Sequence, residues 1–323
     1  MPLLTAATPS VRRREVAAPA DDLGQAALVG RRRPLQWVVA IAGVVVLAML
    51  VNTLLTNPRF EWQVVGDYLF SNAILRGLVL TLWLTAAVMV SGYLLGIAVA
   101  ALRLSDNAVL RSVSFGFVWF VRSVPPLVQL LFWFELASLY PRLSLGIPFG
   151  PEFVSVQTAH LLSAVAAAYV ALTIDVAAFA SEIIRGGILS VDRGQTEAAD
   201  SLGLSRARTF RRVVLPQAMP AIIPASGNLL IGMLKATSLV SVIAVQDLLG
   251  ATELIYNDNF KVIPLLIVAT LWYLLLTSLL SVLQFGLERR FSRGTRRADR
   301  PSLPAVWRSN LPVFPHRRPR AGR

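Results

Sequence analysis

The stretch Glu197-Ala198-Ala199, followed by Gly203 and then by Val213-Val214-Leu215-Pro216, decides the fold of this chain. It forms a charged loop between two hydrophobic segments. Glycine at position 203 permits a positive φ and therefore a sharp turn. We expect two short helices that meet at Gly203, with Ser205 as the N-cap of the second helix. We also expect Leu215-Pro216 to end that second helix and to begin the next membrane span.

The composition around this loop is that of a membrane protein. The 323 residues are 55% hydrophobic and only 15% charged, and a membrane span needs about 20 mostly apolar residues. Glu135 and Lys235 interrupt two of the candidate spans. We therefore predict an all-α, polytopic fold with six spans, near residues 36–55, 77–102, 123–140, 157–181, 221–245 and 262–286.

Basic residues are divided unequally between alternate connecting segments. If the N-terminus lies in the cytoplasm, the cytoplasmic segments hold 26 of the 31 Lys and Arg residues, and the opposite loops hold 4. Positive charge accumulates on the cytoplasmic side of membrane proteins. The division predicts a multi-pass protein of the plasma or inner membrane with both termini and the 182–219 loop in the cytoplasm. We expect residues 1–35 and 292–323 to be basic, disordered ends.

The spacing of the central loop resembles the EAA signature of permease subunits of binding-protein-dependent ABC importers. That pattern is Glu-Ala-Ala, three residues, Gly, nine residues, Ile, one residue and Leu-Pro, and the one departure is Val213 in place of Ile. Flanking residues resemble the polar amino acid branch of that family (histidine/glutamine/glutamate type). They are Glu182 to Gly187, Gly194-Gln195, Pro216-Gln217-Ala218 and the segment from Arg122 to Gln129.

The resemblance covers roughly residues 72–291 and implies a type I ABC-importer permease fold. It implies a five-helix core, to which residues 36–55 add one N-terminal helix. The implied partners are cytoplasmic ABC ATPase subunits, an extracytoplasmic solute-binding protein and a second permease subunit, identical or paralogous. We expect membrane lipid as a partner and no nucleic acid. The residues implied to couple the loop to the ATPase are Gly194, Gln195, Glu197, Ala198, Ala199, Gly203, Leu215 and Pro216.

The side chains of this loop suit a contact with another protein. Ala198 and Ala199 are small, so a helix that carries them can lie close to a groove on its partner. Glu197 can pair with a partner's arginine.

The sequence argues against an ATPase or another enzyme within this chain. A P-loop needs Gly, four residues and Gly-Lys-Ser/Thr, but Lys235 and Lys261 are the only lysines, and Ala236 and Val262 follow them. Cysteine is absent and only two histidines occur, so no zinc motif is present. We expect no cofactor and no bound metal.

Polar residues within spans are candidates for the substrate path. A carboxylate such as Asp175 costs about 2.5–3.5 kcal/mol at the centre of a span on insertion scales, so it should face protein or water. The alternatives are an ion pair with Arg122 or Lys235, or simple access to a cytoplasmic vestibule. The segment from Lys235 to Ser238 resembles a family segment that carries Asp or Asn at the position of Ala236. The candidates are Gln129, Asp175, Lys235, Thr237 and Ser238.

These observations favour the permease subunit of an ATP-driven importer of polar amino acids. The alternative is a secondary transporter of small polar solutes driven by an ion gradient. That alternative predicts inverted repeats and intramembrane carboxylates, for which Asp175 alone is thin support.

Overall fold

The structure is a computed structural model that describes residues 34–147 and 152–291. Of the ends expected to be disordered, residues 1–33 and 292–323 lie outside the described residues, whereas Pro34 and Leu35 belong to the first helix. The chain divides into two compact units after Pro58. The described part of the first unit is formed by α1 (Pro34–Thr56), whose 23 residues include no charged side chain. Its length and composition suit a membrane span, as predicted.

Where the structure describes it, the second unit is helical apart from one small hairpin and the connecting turns. Within the described residues, five helices of the chain are long and apolar enough to cross a membrane, and a bent helix pair could provide a sixth span. The predicted all-α, polytopic fold is confirmed. The elements are α2 (Trp62–Leu69), α3 (Asn72–Arg103), α4 (Ala108–Ser123), α5 (Pro126–Phe134), α6 (Leu136–Leu139), β1 (Arg142–Gly146), β2 (Glu152–Gln157), α7 (Thr158–Leu161), α8 (Ala164–Leu189), α9 (Arg193–Ser201), α10 (Arg206–Thr209), a π-helical segment (Phe210–Val214), α11 (Leu215–Ala236), a 3₁₀ segment (Thr237–Ile243), α12 (Leu248–Asn259) and α13 (Val262–Phe291).

The third predicted span, near residues 123–140, contains only the short helices α5 and α6, and neither is long enough to cross a membrane. Helices α4 and α5 meet at an angle of 100°, because Pro125 and Pro126 have no amide hydrogen with which to continue the helix. The Gln129 side chain supports this bend, since its Nε2 donates to the carbonyls of Val121 at 2.8 Å and Val124 at 2.9 Å. The two prolines therefore break the helix, and α4 and α5 supply a sixth span only if the bent pair is counted as one.

The fourth span begins later than residue 157. Strands β1 and β2 pair antiparallel, with Leu143 opposite Val156. In β2, Phe153, Val154 and Val156 favour an extended strand over a helix. The spanning helix α8 begins after Ser163, whose hydroxyl accepts the Ala166 amide hydrogen at 3.3 Å.

Helices α3 and α8 form the centre of the membrane domain through close packing of small residues. A Cβ added at Gly92 would lie 2.4 Å from Cγ1 of Val176. Ala168 and Val176 of α8 are fully buried together with Leu84 and Val88 of α3. Small residues at helix interfaces let backbones approach closely in membranes. The packing of α8 against α3 fixes the position of the end of α8, where the central loop begins.

Candidate functional site

Helix α9 contains the Glu-Ala-Ala stretch and begins with a side-chain cap. The Asp192 carboxylate accepts the Gly194 amide hydrogen at 2.7 Å, which satisfies one of the free amides of the first turn. Glu197 and Ala198 are exposed, whereas Ala199 is buried within this chain. Ala199 is therefore covered by this chain, and Ala198 is the alanine that is left accessible to a partner.

Gly203 ends α9 with a positive φ of +72°, as the sequence predicted. The Leu204 amide donates to the Ala199 carbonyl at 3.1 Å, and the Gly203 amide donates to the Asp200 carbonyl at 2.9 Å. This pair of bonds is the Schellman pattern, which satisfies carbonyls at a helix end. Helix α10 begins after Ser205, which occupies the predicted N-cap position but whose side chain makes no cap hydrogen bond.

The second helix of the loop does not end at Leu215-Pro216. Helix α10, the π-helical segment and α11 follow one another without a break, and the Leu215 amide donates to the Phe210 carbonyl five residues earlier. In a regular helix the ring of Pro216 would clash with the Arg212 carbonyl, and its missing N–H would leave an acceptor unpaired. The wider π turn accommodates this proline, so the loop passes directly into the spanning helix.

One hydrogen bond connects α9 to that continuous helix: the Gln217 side-chain amide donates to the Gln195 side-chain oxygen at 3.2 Å. Helix α9 also packs against the π-helical segment and α10. Of the residues predicted for this loop, the structure brings Gln195 to the start of α11 and keeps Glu197 and Ala198 exposed.

An exposed leucine in the loop was not predicted from the sequence. Leu202 is 81% exposed and lies just before Gly203, four residues after Ala198. Residues four apart lie on the same side of a helix, so Ala198 and Leu202 form a small apolar strip beside Glu197. A single leucine before the terminal glycine of an otherwise polar helix is the sequence signal for it.

An ion-pair cluster joins three helices just before the loop. Glu182 of α8 pairs with Arg103 of α3 at 3.1 Å and with Arg185 at 2.9 Å. The Arg103 guanidinium lies 5.1 Å from the centre of the Phe115 ring of α4, within cation–π distance. The segment from Glu182 to Gly187 was singled out by its resemblance to the family. Nothing in the sequence indicated that Arg103 pairs with Glu182.

The five candidates for the substrate path are not joined by hydrogen bonds or ion pairs to one another in the described chain. Gln129 supports the helix bend, and the Thr237 and Ser238 hydroxyls donate at 2.7 Å to carbonyls in the last turn of α11. Lys235 is exposed. Asp175 is buried, with 6% of its surface exposed.

The alternative ion pair of Asp175 is absent from the described residues, since none of the ion pairs found there involves it. The Arg122 guanidinium lies instead over the Phe179 ring, 5.0 Å from its centre. Asp175 is therefore a buried carboxylate that has no ion pair among the described residues.

A second buried acid, Asp247, was not predicted from the sequence. It caps α12 by accepting the Gly250 amide at 2.9 Å, and its other oxygen accepts the Tyr273 hydroxyl at 3.2 Å and the Thr81 hydroxyl at 3.4 Å. Burial raises the pKa of Asp247, although these hydrogen bonds act in the opposite direction. The cluster ties α3, α12 and α13 together at the opposite ends of the spans from α9.

Comparisons with known proteins agree on one class of protein. The sequence matches the family of the binding-protein-dependent transport system inner membrane component over residues 92–293. It is 40% identical over 268 residues to the arginine transport system permease protein ArgU of Corynebacterium glutamicum, covering 82% of this chain and 83% of that protein. It is 32% identical over 235 residues to the histidine/lysine/arginine/ornithine transport system permease protein HisQ of Salmonella typhimurium, covering 72% of this chain and 99% of that protein.

Solved structures give the same fold. An amino acid ABC transporter with histidines matches with a TM-score of 0.57 and 34% identity, over 68% of this chain and 94% of that chain. The inward-facing MetNI methionine ABC transporter matches with a TM-score of 0.55 over 68% of this chain and 97% of that chain. The two sequences are 19% identical, so this match supports the fold and no further similarity.

Proposed function

Because the chain belongs to the family of binding-protein-dependent transport system inner membrane components, we propose that it forms the membrane path of an ATP-driven importer of polar amino acids. It is a multi-pass membrane permease and not an enzyme, as its relatives are permease subunits. The names of ArgU and HisQ favour basic amino acids within the polar class. The observation that carries the coupling proposal is helix α9, exposed between two spans and joined to the second.

The proposed coupling runs from an ATPase subunit through α9 into α11. Glu197, Ala198 and Leu202 present one charge and a small apolar strip to the ATPase. Ala199 and the Gln195–Gln217 hydrogen bond hold α9 against the helix that continues into the membrane. Because the π segment leaves that helix unbroken, a displacement of α9 would be passed to α11 as a nearly rigid movement.

The remaining partners follow from the same proposal. A second permease subunit would complete the path, and an extracytoplasmic binding protein would deliver the substrate. Asp175 and Lys235, with Thr237 and Ser238, remain candidates for the path. Gln129 is better explained by the bend that it supports. Asp175→Asn should lower uptake without lowering ATPase association, and unchanged uptake would remove Asp175 from the path.

Reversal of the charge on α9 tests the coupling proposal. We expect Glu197→Lys to reduce co-purification of the ATPase and to lower amino acid uptake, because it repels a basic partner surface. The matched control is Asp258→Lys, which makes the same charge change on exposed α12 at the far ends of the spans. Equal ATPase recovery from Glu197→Lys and the control would contradict the proposal.

Cysteine labelling tests the orientation, since the chain has no cysteine of its own. We propose that α9 and α10 are cytoplasmic and that the β1–β2 hairpin is external. An impermeant maleimide added to intact cells should label Ser144→Cys in β1 and spare Ser205→Cys. Labelling of Ser205→Cys from outside would contradict the proposed orientation.

A further inference from the structure

A cleft with three arginines lies where α3, α4 and α8 meet, at the end of the bundle that leads into α9. It encloses about 420 Å³. Arg103, Arg111 and Arg185 line it together with the apolar side chains of Leu104, Phe115 and Leu189. This arrangement combines strong positive charge with an apolar wall, and the proposed transport function does not use it.

The charge of the cleft is only partly neutralised within the chain. Glu182 neutralises one positive charge by pairing with both Arg103 and Arg185, and it holds the two guanidiniums in place. Arg111 is exposed and has no acidic partner among the described residues. Three cations and one anion leave a net charge of two. Each guanidinium has five N–H donors, so the two paired arginines retain donors for a further anion.

The surroundings of the cleft are those of a helix at the membrane surface. Helix α4 carries two arginines and no acidic residue. Five of its apolar side chains are more than half exposed: Val109, Val113, Phe115, Trp119 and Phe120. A basic helix with an exposed face of this kind lies at the boundary between headgroups and acyl chains, and tryptophan is enriched at that depth.

We infer that this cleft binds the phosphate headgroup of an anionic phospholipid, with its acyl chains along the apolar face of α4. The inference rests on the proposed orientation, which places the cleft in the cytoplasmic leaflet. Arginine pairs with phosphate through charge-assisted hydrogen bonds, and basic pockets between spanning helices recognise anionic headgroups on that side. A free phosphate would use the arginines but not the adjoining apolar face, so the lipid is the occupant that fits both.

The test is lipid titration of the full-length chain, purified with its partner subunits, by native mass spectrometry. The probes are phosphatidylglycerol and phosphatidylcholine with identical acyl chains. We expect selective binding of phosphatidylglycerol. Arg111→Gln should weaken it about fivefold, the effect of one basic residue near an anionic surface. Arg111→Lys, which keeps the charge, should retain most of the binding.

The matched control is Arg290→Gln in the last turn of α13, which removes an exposed arginine from the same end of the bundle but outside the cleft. Equal weakening by Arg290→Gln would overturn the site, as would equal binding of the two lipids. Displacement of the lipid by inorganic phosphate at similar affinity would show an anion site and overturn the lipid assignment. The readout uses neither uptake nor ATP hydrolysis, so loss of lipid selectivity with intact ATPase co-purification would refute this inference alone.

Discussion

Substitution of Gly203 gives the sharpest test of how the loop is built. Its φ of +72° lies in the left-handed region, and a Cβ there would meet no atom within 4 Å. The penalty for alanine is therefore conformational, about 1–2 kcal/mol, and not steric. A penalty of this size changes the ratio of formed to unformed turn by a factor of about 5 to 30. Gly203→Ala should weaken ATPase binding by up to that factor, because the competent form of α9 becomes less populated.

The comparison with Gly203→Asn separates conformation from contact. Asparagine adopts the left-handed region more readily than alanine does, although it is larger. If the turn decides coupling, Asn should keep more ATPase affinity and more uptake than Ala. If close contact with the partner decides coupling, the larger asparagine side chain should lower ATPase affinity and uptake more than alanine does. Affinity of the purified permease for its ATPase and uptake in reconstituted vesicles are the two measurements.

The control for this series is Gly116→Ala in α4. A Cβ at Gly116 also meets no atom within 4 Å, and its φ is not in the left-handed region. This change should leave ATPase affinity intact, because alanine is favoured over glycine in a helix. Wild-type affinity in Gly203→Ala, or a larger loss in Asn than in Ala, would refute the conformational reasoning.

Three further predictions concern the membrane domain, each measured by thermal unfolding of the full chain in detergent. Gln129→Leu should lower stability by several kcal/mol because it leaves two carbonyls at the bend without a donor, at about 1–3 kcal/mol each; unchanged Tm would show that the bend needs no such support. Gly92→Ala should cost about 1–3 kcal/mol by overpacking against Val176, and a stabilised variant would contradict the close contact. Asp247 has a pKa raised above its ordinary 3.8, so the folded chain binds its proton more tightly and stability falls as pH rises from that value to the folded pKa. Asp247→Asn should remove this part of the pH dependence, and an unaltered slope would exclude Asp247 as its source.

The sequence alone was sufficient where the physical cause is local. The length of each apolar run decides whether a helix can cross a membrane, and those lengths predicted the spanning helices α1, α3 and α13. Gly203 was identified as a turn because a positive φ is a property of a single residue. The break at Pro125-Pro126 was predictable for the same reason, since a missing amide hydrogen acts on its own helix.

The tertiary structure decided which face each loop residue presents. Ala198 and Ala199 are chemically identical, yet one is exposed and the other is buried, because only the packing of α9 distinguishes two successive positions of a helix. Pro216 similarly predicts a helix end when the sequence is considered alone. The π turn that accommodates it keeps α10 and α11 continuous.

Contacts between residues far apart in the chain likewise could not be predicted from the sequence. Arg103 and Glu182 are 79 positions apart and pair only because α3 and α8 pack along their length. Thr81, Asp247 and Tyr273 each look like ordinary polar residues until three helices bring them within hydrogen-bond distance. The sequence by itself determined the long apolar spans, the loop and its turn, since these follow from hydrophobic length and backbone freedom. Only the tertiary structure decided the polar clusters and the arginine cleft, because burial and pairing depend on which helices become neighbours.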